Sequence, residues 1–234
     1  MAPVITFAPI AAQLARAVSL DQLFPRGAGE AALRRTREQA QSGAAKLPED
    51  VQLFFEHYFA VTGAAVQLLG APAFDALARF HDEVEEEYMP GGPPQSPVYD
   101  SFAMQFVLSA VPQGIGNETP YSVIARLLLR DPSRARLQSM AEGLADSRFE
   151  LYRVKDASGH TAEVELVRSG GALSVLLTGP FLRTGDFGLM RVLQFDDRFF
   201  IADSPYLLQA SEDEWHQHLA RIVAQQQGAA SASA

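Results

Sequence analysis

His57, His81 and Glu85 are the residues of this chain whose types could assemble a metal or acid/base site. His81 and Glu85 lie one helical turn apart within "FHDEVEEEYMPGG", a spacing that lets two side chains reach a common ion. A metal-dependent hydrolase or small-ligand site needs a third protein ligand, and His57 is the other histidine of the helical part. It projects about 120° from the main apolar stripe of its own helix, so convergence on His81 requires that helix to be buried on two sides. Neither HExxH nor the Glu-x-x-His spacing of di-iron bundles occurs. The simpler reading places His81 in the core and free of metal, between Leu77 and Val84 on one apolar stripe.

The same stretch raises a second possibility. Asp82, Glu83, Glu85, Glu86 and Glu87 put five carboxylates in six positions with no Lys or Arg among them. Glu85, Glu86 and Glu87 fall in the expected last turn of a helix, where the macrodipole disfavours negative charge by about 0.3–1 kcal/mol each at low salt. Such a run is left to solvent, answered inside the fold by Arg126, Arg130 or Arg134, or answered by a basic partner. Glu83, Glu86 and Glu87 lie off the apolar stripe and form the candidate partner-binding surface.

Other chemical motifs fail on their context. "DFG" at Asp186 to Gly188 has no glycine-rich loop, HRD or strand lysine with it and reads as a turn opening a strand. Asp156, Ser158 and His160 crowd into one hairpin turn, whereas a triad is assembled across longer separations. His216 and His218 are two apart near the expected exposed start of the last helix, so they point in different directions. No GxSxG, Walker A or dinucleotide fingerprint is present. With no cysteine, disulfides, thiolate zinc sites and a Cys nucleophile are excluded. No cofactor is implied.

A net charge of −9 opposes binding to phosphate backbones. The two arginine clusters, Arg34, Arg35 and Arg37, then Arg126, Arg130, Arg134 and Arg136, lack interleaved aromatics, so no nucleic-acid partner is expected. Apolar stretches are broken well short of the roughly 20 residues that span a bilayer, so no membrane partner is expected either. The N-terminal "MAPVITFAPIAAQLARAV" has no basic segment ahead of its apolar residues, which points to a cytoplasmic protein.

These residues must be positioned by a helical part followed by a β part. Helical periodicity runs from Pro9 to Phe24 and through "EAALRRTREQAQ". It is strongest from Val51 to Leu69, where Val51, Phe54, Phe55, Tyr58, Thr62, Ala65 and Leu69 share a stripe about 80° wide. Phe59, Leu53 and Leu68 lie off that stripe, so this helix should pack on more than one side, and Gly63, Ala64 and Ala65 offer a close approach to another backbone. Further helices are expected from Phe74 to Tyr88, from Tyr99 to Ala110, after the Thr119 cap with Pro120 at its first position, and up to about Ala145. At Asp146 the period changes to two. "RFELYRVKD", "HTAEVELVR", "ALSVLLT", "FGLMRVLQF" and "RFFIAD" read as five strands. A last helix starts at Ser211, whose capping-box partner is Glu214, and buries Trp215, Leu219, Ile222 and Val223.

The sequence therefore predicts an α+β chain: a helical domain at 1–145, a small β module with a C-terminal helix at 146–226, and a disordered tail at 227–234. The β module is expected as a five-stranded antiparallel meander or small barrel. The expected function is that of a non-catalytic cytoplasmic interaction or regulatory protein that binds a partner protein. The rival is the metal-dependent hydrolase or small-ligand binder built on His57, His81 and Glu85.

Overall fold

The computed structural model describes residues 19–39, 47–69, 103–105, 108–109, 118–178, 181–202, 205–208, 211–218, 220–221 and 224. The expected helix from Phe74 to Tyr88 lies outside them. A short helix α1 (Leu20–Leu23) is capped by Ser19, whose side chain accepts from the Asp21 amide. Helix α2 (Ala28–Gln39) leads to α3 (Glu49–Leu69), which begins with Glu49 and Asp50 where the helix dipole favours carboxylates.

Helix α3 organises the interior. Val51, Phe54 and Ala65 are 0% exposed, and Phe55, Tyr58, Val61 and Ala64 are buried with them. Leu53, Phe59 and Leu68 pack against the same core from the flanks, as burial on more than one side requires. The close backbone approach occurs elsewhere than expected: a Cβ on Gly63 would meet nothing within 4 Å, whereas one on Gly29 of α2 would collide with the Glu56 carbonyl of α3. Only glycine allows α2 and α3 to cross there.

Thr119 and Pro120 open α4 (Pro120–Leu128) as the sequence indicates. The Thr119 side chain accepts from the Ser122 amide, and the Ser122 hydroxyl answers the Thr119 amide. Asp131 caps a single 3₁₀ turn (Pro132–Arg134) that leads into α5 (Ala135–Asp146). Residues 103–105 and 108–109 are also helical, and Ala103 and Leu108 are fully buried.

The β part is a curled, open seven-stranded sheet, a half-barrel rather than a five-stranded meander. Its strands are β1 (Glu150–Ser158), β2 (Thr161–Leu166), β3 (Gly171–Leu176), β4 (Phe187–Met190), β5 (Val192–Phe195), β6 (Arg198–Ile201) and β7 (Tyr206–Leu207). They are ordered β5-β6-β3-β2-β1-β4-β7. The expected single strand "FGLMRVLQF" breaks at Arg191: β4 pairs with β1, and β5 pairs with β6 on the far side of the sheet. One residue thus links two sides of the sheet, which can happen only because the sheet curls. The β3 and β6 strands are parallel, with Val175 opposite Phe199 and Leu176 opposite Phe200, so the order is not a meander.

Alternation along these strands divides the interior. Tyr152, Val154, Ala162, Val164, Val175, Leu177, Met190 and Ile201 cluster inside the curl. Leu193, Phe195 and Phe200 turn the other way and join the helical core. Phe54 stacks on Phe200 at 4.2 Å and meets Phe195 edge-on at 5.7 Å. Helix α5 seats on β5, with the Gly143 Cβ position 3.4 Å from Leu193.

Candidate functional site

Of the residues proposed for metal or acid/base chemistry, His57 is described and His81 and Glu85 are not. The Nδ1 of His57 lies 2.8 Å from the Leu53 carbonyl oxygen, and because a carbonyl only accepts, Nδ1 carries the proton. In the neutral ring that leaves Nε2 as the acceptor. The imidazole tilts over Phe195 with 5.6 Å between ring centres. Among the described residues no group of three or more His, Asp or Glu is placed to hold a metal ion.

Glu83, Glu86 and Glu87 likewise lie outside the described residues, but two arginines that could answer them are described. Arg126 pairs with Glu118. Arg134 pairs with Asp21 and Asp131 and donates to the Leu20 carbonyl at 3.0 Å, which ties α5's approach to α1. The Asp131 carboxyl is held below its ordinary range, first by its hydrogen bond from Ser133 and then by Arg134.

The remaining candidates have structural roles. The His160 ring donates to the Leu177 carbonyl at 3.1 Å and fastens the β1–β2 hairpin to the end of β3. Asp186 accepts from the Arg183 amide at 2.7 Å, so the "DFG" segment is a turn opening β4. His218 is 9% exposed and set edge-on to Trp215 at 5.5 Å, which corrects its expected exposure.

The polar centre of the molecule involves residues that the sequence did not single out. Arg191, at the corner between β4 and β5, is 0% exposed. Its guanidinium lies over the rings of Phe149, at 5.1 Å, and Tyr121, at 5.6 Å. Nη2 donates to Gln105 Oε1 at 2.9 Å, and the Tyr121 hydroxyl donates to the same oxygen at 2.5 Å. The Ser109 hydroxyl donates to the Gln105 carbonyl at 2.6 Å, and Thr62 lies 3.3 Å from the Tyr121 hydroxyl. This network joins α3, α4, Gln105 and Ser109 to the sheet. The planar guanidinium, with its several fixed donors, sets the geometry of this cluster. Its one signal in the sequence was a charge inside the apolar run "GLMRVL".

A second polar cluster, centred on half-buried Arg153, Glu165 and Glu212, lies on the outer face of the sheet. Arg153 donates to Glu165 at 3.0 Å and to both carboxylate oxygens of Glu212, whose Oε1 is 2.6 Å away. Lys155 pairs with Glu165 at 2.9 Å, and His216 lies 3.3 Å from Glu212. The Glu212 carboxyl is lowered by its hydrogen bond from Arg153 and by His216, and the Glu165 carboxyl by its hydrogen bond from Lys155. Trp215, in the same helix as Glu212, is buried, and among the described residues no acceptor faces its indole N–H. An unsatisfied buried donor costs about 1–3 kcal/mol.

No helix among the described residues is long and apolar enough to cross a membrane. No family model matches the chain, and no curated protein or solved structure matches it.

Proposed function

We propose that the protein is a non-catalytic cytoplasmic interaction or regulatory protein that binds a basic surface of a partner protein through Glu83, Glu86 and Glu87. The observation that carries this reading is the engagement of Arg126 by Glu118 and of Arg134 by Asp21 and Asp131. Two of the three arginines that could neutralise the acidic run from within thus have carboxylate partners among the described residues, which supports this reading over an internal answer. Capture of partners by the wild-type chain and by the variant Glu83→Lys/Glu86→Lys/Glu87→Lys, compared in parallel, tests it. A protein held by the wild type and lost by the folded variant supports the reading; identical capture removes it.

One observation favours the rival metal site. With Nδ1 of His57 donating to a backbone carbonyl, Nε2 is left for a ligand, the arrangement by which metal-bound histidines are oriented. Stoichiometric metal in protein purified without added metal, and its loss in His57→Ala, His81→Ala and Glu85→Ala, would support that reading, in which His81 and Glu85 are the other ligands.

A further inference from the structure

Ser133 stands at the corner between α4 and α5, in the 3₁₀ turn Pro132–Arg134. It is exposed, and so are Arg130, Pro132, Ala135 and Arg136 around it. Arg130, Arg134 and Arg136 place three guanidinium groups within three residues of its hydroxyl along the chain. Guanidinium is the side chain best matched to a phosphate dianion, because its planar fork of donors pairs two oxygens at once. The hydroxyl itself donates to Asp131 Oδ1 at 2.5 Å, and the same oxygen accepts from the Ser133 amide at 3.1 Å. Asp131 Oδ2 accepts from Arg134 Nε at 3.0 Å.

Arg134 holds α1 with its other donors. Nη1 donates to the Leu20 carbonyl at 3.0 Å and to the Phe24 carbonyl at 3.5 Å, and Nη2 pairs with Asp21. A helix of one turn does not hold its own shape, so α1 keeps its place through this arginine and through the burial of Leu23 and Phe24. A phosphoryl group on Ser133 Oγ would change both attachments. It removes the hydroxyl proton that Asp131 accepts and sets a charge of about −1.5 to −2 against that carboxylate. It also lies at the start of α5, whose cap residue, Arg134, makes no side-chain cap bond and whose dipole favours an anion there. Arg134 is the cation nearest to both charges, and turning to the phosphoryl group takes its donors from α1.

We propose that Ser133 is a phosphorylation site recognised through Arg130, and that its phosphoryl group draws Arg134 from α1 to the start of α5 and so loosens α1. The donor is a nucleoside triphosphate held by a protein kinase whose acidic substrate groove accepts the arginine three residues before the serine. Ser133 Oγ attacks the γ-phosphorus, the Oγ–P bond forms, the bond from that phosphorus to the bridging oxygen breaks, and the nucleoside diphosphate leaves. The hydroxyl proton goes to the base of the kinase. This corner is separate from the acidic run and does not depend on its role.

The folded full chain, incubated with MgATP and a serine kinase that requires arginine three residues before its target, tests the site, with the product mapped by tandem mass spectrometry. Ser133 should take one phosphoryl group, and Arg130→Ala should be modified there at least tenfold more slowly. Modification of a peptide of residues 126–140 but not of the folded chain, or an equal rate in Arg130→Ala, would overturn the proposal. Hydrogen exchange then reads the consequence. The amides of Leu23 and Phe24, which donate to the Ser19 and Leu20 carbonyls, should exchange at least tenfold faster after phosphorylation, while those of Ala135, Arg136 and Leu137 slow. Arg134→Ala should loosen Leu23 and Phe24 without the kinase, and phosphorylating that variant should add nothing further. Unchanged exchange at Leu23 and Phe24 in the phosphorylated wild type, or an equal further increase in Arg134→Ala, would overturn the part given to Arg134.

Discussion

Replacing Phe54 with alanine removes a side chain that is 0% exposed and stands between the helices and the sheet. Its ring stacks on Phe200 with planes 4° apart and touches Phe195 edge-on, and both belong to the strands that turn toward α3. Truncating a buried Phe costs about 3–5 kcal/mol through lost transfer energy and the cavity left behind. Each ring pair adds about 0.5–1.5 kcal/mol beyond area, so Phe54→Ala should fall in the upper part of that range, about 4–5 kcal/mol. For a chain of this size a Tm falls by about 2–4 °C per kcal/mol, giving a loss of about 8–20 °C. Urea unfolding followed by circular dichroism for the helices, with hydrogen exchange read in β3 and β6, measures both sides of the contact. If Phe54 belongs to one shared core, the two signals shift together. A loss below about 1.5 kcal/mol, or a helical signal that moves while β3 and β6 do not, would refute the reasoning.

Three further outcomes follow from particular contacts. Gln105→Leu leaves the Arg191 guanidinium and the Tyr121 hydroxyl without their shared acceptor and should cost about 1.5–3 kcal/mol, measured by chemical denaturation; an unchanged midpoint would contradict the role given to Gln105. Gly29→Ala should destabilise by about 1–3 kcal/mol, because the added methyl meets the Glu56 backbone, while Gly63→Ala, with open space around it, should be neutral or stabilising by up to about 1 kcal/mol. Glu212, Glu165 and Glu214 are held low by hydrogen bonds from Arg153, Lys155 and Ser211 respectively. Their contribution is therefore present above the unfolded glutamate value of about 4.3 and is lost as pH falls through the lower folded values. Hydrogen exchange corrected for its intrinsic pH dependence should show 212–218 losing protection below about pH 4.3 ahead of β5, which carries no carboxylate; parallel loss would contradict it.

What could be read from the sequence was local. Thr119 and Pro120 announce α4 because a cap and a fixed φ act on adjacent residues. The α3 stripe was legible because one helix buries one periodic set, and β2 because Ala162 and Val164 alternate with Glu163 and Glu165. What was missed is long-range. Nothing near Arg191 states that its two flanking segments pair with opposite sides of a sheet, or that β3 and β6 run parallel. Glycine at 63 looked like a helix crossing, but contact is decided by the neighbour, and the neighbour meets Gly29 instead. Gln105 and Tyr121 gave no signal as a buried pair because each is an ordinary residue of its own helix. The candidate site was read from helical spacing and charge density, and its acidic and histidine members at 81–87 fall outside the described residues.

The central functional claim is that the acidic run meets a basic partner. Its most direct test is the association rate of the captured partner with the wild-type chain and with Glu83→Lys/Glu86→Lys/Glu87→Lys, measured at low and high salt, with thermal stability recorded on the same samples. The account predicts an unchanged or slightly higher melting temperature, because lysine suits the helix C-terminus that the sequence predicts there, and a large fall in association rate that shrinks as salt screens the charges. An unchanged association rate, or a lowered melting temperature with binding lost only through unfolding, would contradict it.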